Sequence, residues 1–134
     1  MRTSVARIEH IALWVENLDA MVTFYVKYFG VQVGELYENT VKGLRSRFIG
    51  FESGCRLEMM TTTSLALERS TPGTQRHGLT HIAISVGSPQ SVDAVTSRLK
   101  EDGFVVLDGP RRTGDGYYES VVLDPEGNRV EITV

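Results

Sequence analysis

His10 and His81 each stand inside an apolar stretch, Ile8-Glu9-His10-Ile11-Ala12-Leu13 and Leu79-Thr80-His81-Ile82-Ala83-Ile84, and each is followed far downstream by a glutamate. His10 to Glu58 spans 48 positions and His81 to Glu131 spans 50, so one architectural unit is used twice. Two neutral imidazoles and two carboxylates make a ligand set for one divalent ion, and donor softness does not choose among Zn²⁺, Ni²⁺, Co²⁺, Fe²⁺ and Mn²⁺. Strand alternation places His10 on one face with Ala12 and Trp14, opposite Ile11, Leu13 and Val15. His81, Glu58 and Glu131 fall the same way, each on the less apolar face of its strand. Two carboxylates set inside strands are costly to desolvate without a counter-charge, which favours a bound cation over a purely structural role.

The elements that must position these residues repeat as well. Asn17 caps a helix whose Leu18, Met21, Tyr25 and Tyr28 share one face and which Gly30 ends. Ser88 with Pro89 starts a second helix, striped by Val92, Val95 and Leu99 and ended by Gly103. Gly54-Cys55-Arg56-Leu57-Glu58 lies over Gly127-Asn128-Arg129-Val130-Glu131 at an offset of 73. The pattern predicts first strands over 7–15 and 80–86, then 31–37, 45–52 and 55–61 in one half and 104–108, 117–124 and 128–134 in the other. The expected fold is α+β: two tandem βαβββ modules, about 5–62 and 78–134 with a linker at 63–77, forming a curved mixed sheet around a metal-binding cavity. A length of 134 residues suits one such domain.

Composition narrows the partners. The 14 basic and 17 acidic residues give a net charge of −3 with no long run of one sign, so no face suits a nucleic-acid backbone. No apolar run reaches the ~20 residues needed to cross a bilayer. The opening residues Met1-Arg2-Thr3-Ser4-Val5 lack the apolar stretch of a secretory signal, and the single Cys55 cannot form an internal disulfide, so a cytoplasmic location is expected. Cys55 has no second thiol or local histidine signature to make it a nucleophile. His77, in the polar linker, is expected in solvent. The expected partner is a small-molecule substrate. A homodimer is also expected, because each small half covers one side of a curved sheet and buries little surface alone. Arg56 and Arg129, beside the candidate ligands, are candidates for an anionic substrate, with ion pairing to neighbouring acids as the other reading.

His10-Ile11-Ala12 before Asn17-Leu18-Asp19, Phe24-Tyr25 running to Phe29-Gly30, His81-Ile82-Ala83, and Leu123-Asp124-Pro125-Glu126-Gly127-Asn128-Arg129-Val130-Glu131 together form a pattern that covers nearly the whole chain. It resembles the vicinal oxygen chelate superfamily of glyoxalase I, methylmalonyl-CoA epimerase, extradiol dioxygenases, and fosfomycin and bleomycin resistance proteins. Within that superfamily, His, Glu, His, Glu at 10, 58, 81 and 131 is most similar to bacterial glyoxalase I, the lactoylglutathione lyase. The resemblance implies a metal-dependent lyase or isomerase in which Glu131, or else Glu58, is the base that moves a proton between adjacent carbons. A small-molecule or antibiotic-binding resistance protein and an extradiol-type dioxygenase are the alternatives it leaves open. Glu35 stands, by count from Gly30, where glyoxalase I usually has an arginine that grips the glutathione carboxylate. The resemblance therefore also admits another substrate with vicinal oxygens, contacted by Arg56, Arg112, Arg129 or Trp14.

Overall fold

Asn17 opens helix α1 (Leu18–Phe29) by accepting the Ala20 N–H on its side chain at 3.0 Å. Gly30 closes it in the left-handed region (φ 62°), its N–H donating to the Val26 carbonyl at 3.0 Å. Leu18, Met21, Val22, Phe24, Tyr25 and Tyr28 form the buried face, the stripe the spacing predicts widened by Val22 and Phe24. This computed structural model describes residues 5–66, 72 and 74–134 of the chain, which divides into two units, Met1–Leu67 and Glu68–Val134.

In the first unit α1 follows β1 (His10–Trp14) and precedes β2 (Gln32–Val33), β3 (Tyr37–Asn39), β4 (Leu44–Gly50) and β5 (Arg56–Thr62). The sheet runs β1-β5-β4-β2, with β3 also paired to β4; β1 and β5 are parallel and the remaining pairs antiparallel. The strand expected over 31–37 is only two residues long: Gly34 still donates to the Phe48 carbonyl at 2.8 Å, but the chain then leaves β4 and re-pairs with it as the short β3. Leu57 and Met59 of β5 and Ile49 of β4 are buried on the helix side together with Val15, just past β1.

The second unit repeats the plan with β6 (Ile82–Ser85), α2 (Pro89–Glu101), β7 (Val106–Arg112), β8 (Tyr118–Leu123) and β9 (Arg129–Thr133) in the order β6-β9-β8-β7. Ser88 accepts the Ser91 N–H at 3.1 Å, and Pro89 takes the first turn, where its missing N–H costs nothing. Beyond the cap residue Asp102, Gly103 (φ 90°) donates to the Lys100 carbonyl and Phe104 to that of Leu99, the paired bonds that end a helix at a left-handed residue. Val92 and Leu99 are fully buried, but Val95 is half-buried and Thr96 takes the inward place. Its hydroxyl is accommodated by bonds to the Val92 carbonyl (2.6 Å) and the Ser120 hydroxyl (2.7 Å). Strand β7 extends to Arg112, four residues beyond expectation, with register shifts on either side of Asp108.

Both units are thus βαβββ modules with mixed sheets, the first carrying β3 as an added short strand. Part of the expected linker 63–77, namely 67–71 and 73, lies outside the described residues. Among the described residues, no helix is long and apolar enough to cross a membrane.

Candidate functional site

Asp124 holds the turn before β9. Its side chain accepts from the N–H groups of Glu126 (2.9 Å) and Asn128 (3.0 Å), and the Asn128 amide reaches both carboxylate oxygens. The turn fixes where β9 begins, and the parallel register Ile82↔Val130 and Ala83↔Glu131 then fixes Glu131 beside β6. In the first unit the register His10↔Arg56 and Ala12↔Glu58 does the same for Glu58. The equivalence found in sequence therefore extends to strand register, with Glu58 opposite Ala12 and Glu131 opposite Ala83.

Each glutamate meets its own histidine. The His10 Nε2 to Glu58 Oε1 distance is 3.7 Å, and His81 Nε2 lies 3.2 Å from Glu131 Oε2. The imidazoles are 40% and 36% exposed and the carboxylates 17% and 23%, so in both pairs the donor atoms face outward from the helix-covered side while remaining part-covered. Two donors bound ~2.1 Å from a common ion at the usual angles lie ~3.0–3.6 Å apart, close to both spacings. Nitrogen and carboxylate oxygen donors also suit a borderline divalent metal. Among the described residues, no group of three or more His, Cys, Asp or Glu side chains capable of holding a metal forms; each unit supplies a pair. His81 stands one residue before β6, whereas His10 is the first residue of β1.

The surroundings of the two pairs differ. His10 meets the Phe48 ring edge-on at 5.2 Å, and the Arg56 guanidinium lies 4.1 Å over the same ring. Arg56 also pairs with Glu9, and the hydrogen bond it donates, joined by that of His10, holds the Glu9 carboxyl below its ordinary value. Arg56 thus combines both sequence readings: it flanks the candidate ligands and is ion-paired to an acid. Arg129 pairs in register with Leu123 and is half-buried. Arg112 lies on β7, where it donates to the Gly116 carbonyl at 3.1 Å and sits 5.8 Å over the Tyr118 ring, so it braces the 113–117 loop. Trp14 shares the His10 face and is 56% exposed. His77 is exposed, as its polar neighbours imply, and Cys55 is a free thiol before β5.

One acid was not singled out from the sequence. Glu119 is 7% exposed on β8, and burial, then a hydrogen bond with Glu131, then the Glu131 charge push its carboxyl above the ordinary value, while Arg111 opposes them. Among the described residues its Oε2 has no hydrogen-bond partner. The signal was available: Glu119 is a lone acid entering the run Ser120-Val121-Val122-Leu123, and alternation puts it on the face of Val121, which is opposite Glu131. At the offset of 73 its counterpart is Ser46, so the first unit has a hydroxyl where the second has a carboxyl.

The raised value means that the metal-free fold holds the Glu119 proton more tightly than the unfolded chain, so stability falls as pH rises above 4.5 through the folded-state value. We expect Glu119→Gln to melt higher than the parent at neutral pH without metal, by a few degrees for a gain on the order of 1 kcal/mol. The advantage should vanish below the ordinary carboxylate range, where both side chains are neutral. Melting curves across pH in the presence of a chelator measure it, and an advantage that persists in acid would assign the effect to something other than charge.

Comparison with known proteins places this fold. The family described as Glyoxalase/Bleomycin resistance protein/Dioxygenase superfamily matches residues 7–132. Glyoxalase I from Zea mays superposes with a TM-score of 0.76 at 21% identity over 95% of this chain, which spans only 44% of the maize protein. The trypanothione-dependent glyoxalase I of Leishmania major gives 0.73 at 21% identity, covering 96% of this chain and 86% of that one. A glyoxylase/bleomycin resistance protein/dioxygenase domain from Frankia sp. EAN1pec gives 0.80 at 16%, covering 98% of each. At such identities the solved structures establish the shared fold.

Proposed function

Since the chain belongs to the glyoxalase/bleomycin resistance protein/dioxygenase superfamily, we propose that it is a glyoxalase I-like, metal-dependent lyase or isomerase that moves a proton beside the chelated oxygens of a small substrate. In this reading His10, Glu58, His81 and Glu131 are the ligands of one divalent ion, Zn²⁺, Ni²⁺, Co²⁺, Fe²⁺ or Mn²⁺, and the working form is a cytoplasmic homodimer. The observation that supports it is the duplicated His–Glu pair, set in the same strand register in both units at 3.7 and 3.2 Å.

The bound ion would act as a Lewis acid toward two adjacent substrate oxygens and so acidify the neighbouring C–H. Glu131 is the proposed base, with Glu58 as its alternative, taking the proton from one carbon and returning it to the next. Glu131 is preferred because Glu119 beside it supplies a second carboxyl that can exchange a hydrogen bond with it as its charge changes. His10 and His81 would serve as neutral nitrogen donors and hold no proton of the reaction. Arg56, Arg129 and Arg112 are proposed to attract anionic groups of the substrate. Arg56 is the best placed, since Phe48 and Glu9 already fix its plane next to the His10 pair.

The test is metal content together with proton exchange. The protein should carry one equivalent of divalent ion per chain, sediment as two chains, and exchange a substrate C–H with D₂O without consuming oxygen. Turnover of the glutathione hemithioacetal of methylglyoxal should be weak or absent, because exposed Glu35 offers an anion where a cationic grip is needed. Robust turnover would make the protein a lactoylglutathione lyase. Oxygen consumption would favour the dioxygenase reading, and absence of stoichiometric metal would favour a resistance-type binding protein.

A further inference from the structure

The far end of β1 from His10 opens on a depression of about 760 Å³, within the size range of small-molecule sites. Its described lining comes from the first unit: Trp14 at the end of β1, Lys42 and Leu44 from the turn into β4, and Thr62, Ser64, Leu65 and Ala66 from the end of β5 onward. Its walls are tied together. Asn39 accepts the Lys42 N–H at 3.1 Å, Thr63 donates to the Gly43 carbonyl at 3.2 Å, and the Thr62 hydroxyl reaches the Lys42 carbonyl at 3.4 Å. Gly43 has φ +63°, and a Cβ there would stand 2.4 Å from Thr63 Oγ1, so the two segments meet at a contact only glycine permits.

The lining has a definite chemistry. The only tryptophan of the chain is 56% exposed, an arrangement that leaves a large apolar ring in water unless something covers it. Leu44 and Leu65 add aliphatic surface, and among the described residues Lys42 is the one charged residue of the lining. Trp14 and His10 share a strand face four residues apart, ~13 Å at the usual rise.

We propose that this depression receives the apolar, preferably aromatic, tail of the substrate, with Lys42 holding a carboxylate or similar anion on that tail. The substrate class is therefore an elongated amphiphile, with vicinal oxygens at one end and an aryl or alkyl acid about 13 Å away. This assignment rests on the proposed function, since it makes the occupant part of the substrate. The subsite itself contains none of the four proposed ligands and is tested without metal.

The experiment titrates 4-phenylbutyrate and the neutral 4-phenylbutanol into the ¹⁵N-labelled, metal-free full chain and follows the single indole N–H of Trp14. The expected result is a saturable shift with both probes and a two- to fivefold tighter fit for the acid, about what one exposed ion pair provides. Lys42→Gln should abolish that preference, and Leu44→Asn should weaken both probes about tenfold. Lys42 is exposed, so its variant tests the charge even if Leu44→Asn fails to fold. No saturable shift, equal binding of acid and alcohol, or an acid preference that survives Lys42→Gln would overturn the proposal. Loss of probe binding in His10→Ala would also overturn it, by placing the probe at the His10 pair. Probe binding by a chain that takes up no stoichiometric divalent ion when metal is added back would support the subsite while sinking the proposed reaction; metal uptake without probe binding would remove the subsite alone.

Discussion

Glu131→Gln should fold, retain most of its metal and lose turnover by about 10²–10⁴-fold, the usual effect of removing a general base. Glutamine keeps the shape of the side chain and an oxygen that can still face His81, but its amide cannot accept the substrate proton. It also leaves the β9 register intact, since the pairing of Glu131 with Ala83 and Val121 is a backbone matter. Glu58→Gln is the control. If Glu58 is the base, the large loss moves to that variant and Glu131→Gln stays active. The measurement is C–H exchange with D₂O alongside metal content; exchange unchanged in both variants would sink a carboxylate base altogether.

His10→Ala and His81→Ala should each remove stoichiometric metal. Alanine removes a donor outright, where glutamine leaves an oxygen in place, and each histidine contributes the only neutral nitrogen of its pair. Neither change should unfold the protein: both imidazoles are more than a third exposed, and the more covered apolar faces of β1 and β6 point the other way. Elemental analysis of the purified variants, with circular dichroism as the fold control, gives the answer. Metal content unchanged in both would put the site elsewhere.

Much of this protein is legible in its sequence because local chemistry determines it. Both helices begin at the side-chain caps Asn17 and Ser88. The first ends at Gly30 and the second at Asp102 beside Gly103, since capping needs only neighbours along the chain. Alternation alone separates His10, Glu58, His81 and Glu131 from the apolar faces. The burial patterns of β1, β5, β6 and β9 follow that division, save that Thr133 is buried with its apolar neighbours. The internal repeat identifies which histidine belongs with which glutamate.

What the sequence could not supply depends on groups far apart in the chain. The extra strand β3 exists because β4 has a free edge for 37–39 to pair with, and β7 runs to Arg112 because β8 continues to offer it partners. Thr96 replaces Val95 inside the second unit only because Ser120, 24 residues away, is there to receive its hydroxyl. Glu119 reads as an ordinary strand acid until the ladder, with Val121 opposite Glu131, brings it diagonally beside Glu131 and burial removes its water. The sequence by itself determined the helices, the strand faces and the two His–Glu pairs, which follow from periodicity and capping between near neighbours. Tertiary structure alone decided the strand ends, the upward shift of the Glu119 carboxyl and the depression beside Trp14, because these depend on which distant atoms exclude water from a given side chain.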